Sequence, residues 1–392
     1  MSATTMDDER RDTVRLLRES AQSFAVKESP LSRARALRGF KPDFDRTFWD
    51  KLAALGWTGL LLPEQFGGYA QGFAEMAAVT AELAAQVAPE PFTAVATFAG
   101  GVLRHSEDTE QKALLLPLLA AGELIPAVAW QDADGNLDIT APRVRAVRHG
   151  DGMSLTGEKR HIRPGAGCDG YIVSALGDDE LEIHWVPKDA AGLQVFEEPL
   201  TDGTFSARLR LDGVKLGHSQ RLAKGSVAAT ALSRAYDETL VMVSVELLAL
   251  SRKMLAMTLE YLRTRVQFGK PIGSFQALQH RSVDLLIQQE LTSAVVEQAV
   301  AALDDGADER ERASMASRAK SRASGSCLLI ARESMQMHGA IGYTDEYDLG
   351  LYLQRALALS AWLGNGLAHR RRFAALNPLL RTAVACGREV QK

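Results

Sequence analysis

Three kinds of residue in this chain could do chemistry. The first is a glycine run, Gly165-Ala166-Gly167-Cys168-Asp169-Gly170, which fits the pattern Gly-x-Gly-x-x-Gly. In a dinucleotide-binding unit such glycines follow a strand and open a helix whose N-terminus holds the pyrophosphate. Here the next residues, Tyr171 to Leu176, read as a strand, so the run predicts a glycine-rich β-hairpin turn instead. The second kind is sulfur. Cys168, Cys327 and Cys386 are odd in number and far apart, which fits no disulfide framework and no Cys-x-x-Cys metal site. Such usage points to a reducing compartment. The third kind is a group of carboxylates, Asp237, Glu238 and Glu246, on one long apolar-faced segment. A carboxylate there could act as a general base. The structural alternatives are an exposed glutamate near a helix start for Glu238 and an N-cap for Asp237.

The elements that would position these groups fall into three zones. Residues 1–122 read as helical: Phe48 to Leu55 and Phe73 to Ala88 carry apolar residues at helical spacing, separated by the turn Pro63-Glu64-Gln65-Phe66-Gly67-Gly68. Asp108-Thr109-Glu110 predicts a further helix start. Residues 123–225 read as extended. Ile125 to Trp130 predicts a strand, Val144 to Ile162 a hairpin about His149-Gly150-Asp151-Gly152, and Tyr171 to Leu176 with Leu181 to Val186 a second strand pair. Phe205, Ala207, Leu209 and Leu211 alternate with Ser206, Arg208 and Arg210, as on a half-buried antiparallel strand. With no helices between the strands, a small antiparallel sandwich or barrel is expected. Residues 226–392 read as a helical bundle. Ser226 to Phe268 lacks glycine and proline, and helices follow over about 275–304, 311–338 and 346–372. The expected fold class is therefore α+β multidomain.

Composition limits the partners. Apolar residues make up 46% of the 392 and charged residues 24%, an ordinary globular balance. A net charge of −4 with no basic stripe argues against nucleic acid. The first twenty residues are polar and charged, without the apolar core of a signal peptide, and no uninterrupted apolar run is long enough to span a bilayer. A cytoplasmic protein without a membrane span is expected.

Three motifs then carry a resemblance. Tyr261 to Asp284, YLRTRVQFGKPIGSFQALQHRSVD, resembles the signature of acyl-CoA dehydrogenases, in which a long helix ends in Arg-x-x-Phe-Gly and the next begins with Phe-Gln. Gln336-Met337-His338-Gly339-Ala340-Ile341-Gly342-Tyr343-Thr344 is similar to the family's Gln-x-x-Gly-Gly-x-Gly-Tyr, and Leu62 to Gly68 to its Pro-Glu-x-x-Gly-Gly. The zone order matches as well. The resemblance implies FAD as cofactor, an acyl-CoA thioester as substrate, an electron-transfer flavoprotein as electron acceptor, and a tetramer built on the bundle. By position it implies that Arg265 pairs with the FAD pyrophosphate, as a guanidinium fork suits that oxyanion. Phe268 and Phe275 would pack beside the cofactor of a neighbouring subunit, and Gln267, Gln276 and Gln336 would hydrogen-bond it. Gly339 would admit it closely, and Asp237 would face the CoA portion of the substrate. Taken one at a time, these residues have plainer readings: Arg265 as a helix-dipole partner, the phenylalanines as core, Gln336 as surface.

The chain departs from the family where the chemistry happens. The family removes the α-proton of the thioester with a glutamate. The usual position of that base falls here on Leu363 and its alternative position on Thr239, neither of which accepts a proton. Glu238 is one residue away, about 100° around the helix, and Glu246 is seven residues on, about 10 Å along it. Where the family has Thr-Glu-Pro-x-Ala-Gly-Ser-Asp and Trp-Ile-Thr-Asn around the flavin ring, this chain has Gln131 to Asp138 and His161-Ile162-Arg163-Pro164. The groups that reach a neighbour's flavin are kept and the chain's own base is missing. This pattern predicts one subunit of a heterotetramer, active with a paralogous chain. The alternatives are a self-sufficient homotetramer with a displaced base, a non-catalytic protein on the same fold, and a flavin enzyme of different chemistry such as an oxidase.

Overall fold

The computed structural model describes residues 3–378 other than 108, 133, 134, 136 and 151, with side chains from residue 9 onward. Asp108 at the expected helix start, Ala133, Asp134 and Asn136 of the Gln131 to Asp138 segment, Asp151 of the hairpin turn, and Cys386 lie outside the described residues. The chain divides into two compact units, Met1–Thr239 and Leu240–Lys392.

The first unit opens with helices α1 (Ala3–Glu28), α2 (Leu31–Leu37), α3 (Arg46–Ala54) and α4 (Phe73–Ala85). A π-helical turn over Thr93–Ala99 runs into α5 (Gly100–His105), and α6 (Glu110–Ala120) follows. Local chemistry sets the starts. The Asp45 carboxylate accepts from the Thr47 N–H to begin α3, and the Thr109 hydroxyl accepts from the Lys112 N–H to begin α6. Phe48, Trp49 and Leu52 form the buried stripe of α3, and the Trp49 indole donates to Gly122 O at 3.1 Å. The turn before α4 requires glycine: a Cβ on Gly68 would lie 2.1 Å from the Leu62 carbonyl oxygen.

Eight strands follow: β1 (Pro126–Ala129), β2 (Arg145–His149), β3 (Gly152–Ile162), β4 (Gly170–Leu176), β5 (Leu181–Pro187), β6 (Leu193–Pro199), β7 (Phe205–Gly217) and β8 (Arg221–Lys224). Their order in the sheet is β6-β7-β3-β2-β4-β5-β8, with β1 parallel to β4. One parallel pair, Arg145 with Leu176, joins the β6-β7-β3-β2 half to the β4-β5-β8 half. All other pairings on the path are antiparallel. On β7, Phe205, Ala207, Leu209 and Leu211 are buried as the alternation predicts. The Gly165–Gly170 run needs a correction. It links β3 to β4, which are not paired with each other because β2 lies between them, so it is a crossing connection and not a hairpin turn.

The unit boundary falls inside α7 (Gly225–Thr264), the longest helix. The second unit continues with a small antiparallel ribbon, β9 (Val266–Gln267) and β10 (Lys270–Pro271), then α8 (Gln276–Asp304), α9 (Glu309–His338), α10 (Leu349–Ala361) and α11 (Gly366–Leu376). The helix expected to run through Phe268 ends four residues earlier, because Phe268 and Gly269 both take left-handed backbone (φ +54° and +78°) at the ribbon tip. The helix expected over about 346–372 is two helices. Leu363 (φ +60°) and Gly364 (φ +98°) stop α10, and the Asn365 side chain accepts from the Leu367 and Ala368 N–H groups to start α11. Helix α9 is the centre of this unit, packed against α8, α10 and α11. Its small buried residues Ala313, Ala316, Ala319 and Ala323 recur at helical spacing along the buried face. Among the described residues, no helix is long and apolar enough to cross a membrane.

Candidate active site

In the first unit, Asp237, Glu238 and Thr239 are consecutive on α7 and 1%, 1% and 0% exposed. The readings of Glu238 as an exposed helix-start residue and of Asp237 as an N-cap are corrected here. Helix α7 begins at Gly225, whose φ of +57° marks the entry, so both residues lie in the helix interior and are buried. The Thr239 hydroxyl turns back onto its own helix and donates to Ala235 O at 2.6 Å. Glu238 sits in a cluster of cations. Arg104 Nη2 lies 2.7 Å from its Oε2, His105 Nε2 2.9 Å from its Oε1, and Arg234 Nε 3.3 Å from its Oε1. Gly101 allows the approach: a Cβ there would be 3.0 Å from Ala235 Cβ and 3.1 Å from Glu238 Oε2. Burial alone would raise the Glu238 carboxyl, but Arg104, His105 and Arg234 outweigh it and hold it below the usual carboxylate range. A carboxylate stabilised in this way is a weaker base than a free one.

In the second unit, Leu363 is 2% exposed in the turn between α10 and α11. Two residues that the sequence reading missed fix this turn. The fully buried Lys320 ammonium donates to Leu359 O (3.0 Å), Ser360 O (3.1 Å) and Gly364 O (3.1 Å), closing the C-terminus of α10. His369 Nε2 lies 2.9 Å from Leu363 O. Burial, with the Lys320 charge adding to it, pushes His369 down to about 3, so the ring is neutral and donates to that carbonyl. The signal for Lys320 was present: it takes a place in the buried 3–4 spacing of Ala316, Ala323 and Cys327 on α9. Further along α7, Glu246 is buried and lies 3.7 Å from Arg355.

The residues of the Arg-x-x-Phe motif stand outward. Arg265, Gln267 and Gln276 are exposed, and Phe268 is 90% exposed at the ribbon tip. Phe268 and Phe275 meet edge to face at 6.1 Å, and Lys270 lies 4.4 Å over the Phe275 ring. At the C-terminus of α9, Gln336 is exposed, and Gly339 has φ +65° and ψ −142°, a conformation confined in practice to glycine. Beside it His338 stacks on Tyr261 at 4.5 Å and lies 3.1 Å from the Tyr347 hydroxyl. An exposed guanidinium, carboxamides, two phenyl rings and a glycine backbone suit the pyrophosphate and adenine of a dinucleotide.

The sheet offers a different set of groups. Lys159, 0% exposed, bonds Asp132 (2.8 Å), Trp130 O (2.9 Å) and Ser174 (3.1 Å). His161 is exposed with φ +54°, and Pro164 has no N–H to donate. Neither residue supplies the indole or the hydroxyl that would cover a flavin ring. The fit to FAD is therefore one-sided, with the donors of the bundle matching the cofactor and those of the sheet not.

A helical domain, a β-sheet domain and a C-terminal helical domain, in this order, are the architecture of the acyl-CoA dehydrogenase fold. The description "Acyl-CoA dehydrogenase, C-terminal domain" matches residues 226–375 and "Acyl-CoA dehydrogenase, N-terminal domain" residues 11–123, together well over half of the chain. The chain belongs to the acyl-CoA dehydrogenase family, whose members are FAD-dependent. It is 28% identical over 365 residues to acyl-CoA dehydrogenase IpdE2 of Mycolicibacterium smegmatis, covering 92% of this chain and 97% of that one. Among solved structures it resembles a variant of the Tcur3481-Tcur3483 steroid ACAD (29% identity, TM-score 0.84, 95% of this chain and 99% of that one). It also resembles the ChsE4-ChsE5 complex from Mycobacterium tuberculosis (25% identity, TM-score 0.83, 92% and 96%).

Proposed function

We propose that this chain is the base-lacking subunit of an FAD-dependent acyl-CoA dehydrogenase and works with a paralogous chain that carries the base. The observation that carries this reading is the fate of the base positions. Leu363 is buried and cannot titrate. Thr239 is hydrogen-bonded to its own helix, and the adjacent Glu238 is held ionised by Arg104, His105 and Arg234. Bound FAD would supply the hydride acceptor for the acyl β-carbon. The contribution of this chain is to hold: Arg265, Gln267, Phe268, Phe275, Gln276, Gln336 and Gly339 present donors and aromatic faces toward the FAD of a neighbouring subunit, and Asp237 faces the CoA portion of the substrate. The exposure of Phe268 supports this role, since a phenyl ring in water gains most from being covered by another chain. The two solved structures named above as pairs of chains support the two-chain reading. The steroid named in one of them supports a bulky acyl group. An electron-transfer flavoprotein would take the electrons onward, and the assembly would be a cytoplasmic heterotetramer.

The test is the visible spectrum and light-scattering mass of the chain purified alone and after co-expression with related chains that carry the glutamate. The expected result is a colourless chain alone and a yellow, active heteromer. A stable homotetramer loaded with FAD and active on an acyl-CoA would overturn the proposal.

A further inference from the structure

The second unit holds a cleft of about 360 Å³ between α8, α9 and α11, away from the ribbon and from the Leu363 turn in its lining. Three of its lining residues are arginines: Arg318 and Arg322 from α9, one turn apart, and Arg370 from α11. Among the described residues, none of the three has a carboxylate partner. Arg318 reaches only the Gln298 amide (3.4 Å), and Arg370 only the Gly366 carbonyl (3.4 Å). Arg322 Nη2 donates to Gln288 Oε1 (2.8 Å) and Gln288 O (3.4 Å), while its Nε is buried with no acceptor. A buried charged donor left without an acceptor is costly, and native structures seldom keep one unless something fills the gap. The chain carries a net charge of −4, so this concentration of cations is a local feature and not a general one.

The floor of the cleft gives a second, independent observation. Gly325 lies in the interior of the thirty-residue α9, where glycine is a poor helix former, and a Cβ on it would meet nothing within 4 Å. Packing within the chain therefore does not demand glycine there. The missing side chain leaves the cleft open over Gly325. Leu329 and Phe373 add an apolar wall. Guanidinium forks match the oxygens of phosphate in pairs, and the wall suits the organic part of a phosphate ester.

We propose that this cleft binds a multivalent oxyanion of the phosphate class, a pyrophosphate or phosphate ester, held by Arg318, Arg322 and Arg370 over Gly325. The experiment is calorimetric titration of the full chain with inorganic pyrophosphate and with phenyl phosphate at low salt. The expected result is one site per chain with a dissociation constant below about 1 mM, weakening as salt rises. Arg322→Lys keeps the charge and loses the fork, and should weaken binding at least about tenfold. Arg370→Gln, at an exposed position where folding is not at stake, should do the same. A control fixes the location: Arg145→Gln on β2, outside the cleft, should bind as the parent does. No heat at about 10 mM ligand would overturn the proposal. So would binding that survives both cleft variants, or binding that is lost in the control.

Discussion

If the Leu363 turn is pinned by a neutral His369, its stability must fall as the pH falls. The free imidazole value is 6.5 and the folded value is about 3. The folded pKa is depressed, so the proton belongs to the unfolded state. The stabilisation is complete above about pH 6.5 and is lost as the pH drops through the window from 6.5 toward 3. At pH 5 the unfolded imidazole is protonated about 1.5 units past its midpoint while the folded ring is still neutral. That difference is worth about 2 kcal/mol. The assay is denaturant unfolding at pH 7.5 and at pH 5.0, comparing the parent with His369→Gln, whose amide can still donate to Leu363 O but cannot titrate. His105 and His338 are also pushed down by burial, but both proteins keep them, so their effect cancels in the comparison. The parent should lose about 2 kcal/mol more than the variant between the two pH values. Equal losses would show that His369 is not the neutral, buried donor described here.

Two more predictions test the buried charges. Lys320→Met removes the donor to three carbonyls at the end of α10 and should lower unfolding free energy by about 3 kcal/mol at pH 7.5; a melting curve unchanged from the parent would refute the clamp. Glu238→Gln leaves Arg104 and Arg234 without their carboxylate and should cost about 3 kcal/mol, measured by the same melts. The proposed function makes Glu238 a counter-ion of Arg104 and Arg234, so in the assembled enzyme that variant should leave the rate of α-proton exchange from an acyl-CoA unchanged; loss of exchange would make Glu238 the base.

Much of this was legible in the sequence, and the rest has identifiable physical reasons. The three zones followed from periodicity, because helices and strands bury their faces at different spacings. The β2–β3 hairpin and the buried face of β7 came out as read. The strands β6 and β8 did not. Leu193–Pro199 is largely exposed, and Arg221–Lys224 is too short to show alternation. The end of α7 was misplaced because Val266 to Phe268 contains no breaker residue, and the turn is made by a phenylalanine in left-handed backbone. Burial of Asp237 and Glu238 was also illegible, since the Glu238 partners Arg104 and His105 lie more than 130 positions away in the chain. Charge clusters closed by such long-range contacts leave no local pattern to read.

The same contacts bear on whether a single substitution could supply the base that the proposed function takes this chain to lack. Leu363→Glu puts a carboxyl at the position where the resemblance implies the family's base, yet the surroundings here are built for something else. The site is 2% exposed, so the carboxyl must either stay protonated or find a cation. The cation close by along the backbone is Lys320, whose donors already hold Leu359, Ser360 and the Gly364 carbonyl next to position 363. Drawing Lys320 onto a new carboxylate would release those carbonyls. A glutamate there relieves none of the left-handed backbone strain that leucine already bears at φ +60°. Leu363→Glu should therefore destabilise the chain by about 2–4 kcal/mol and yield no flavin reduction by an acyl-CoA when the chain is purified alone. Bleaching of FAD absorbance by an acyl-CoA with the variant alone would refute this. It would mean that the chain needs only its glutamate back, and that the Lys320 and His369 network is no obstacle to a base in that turn.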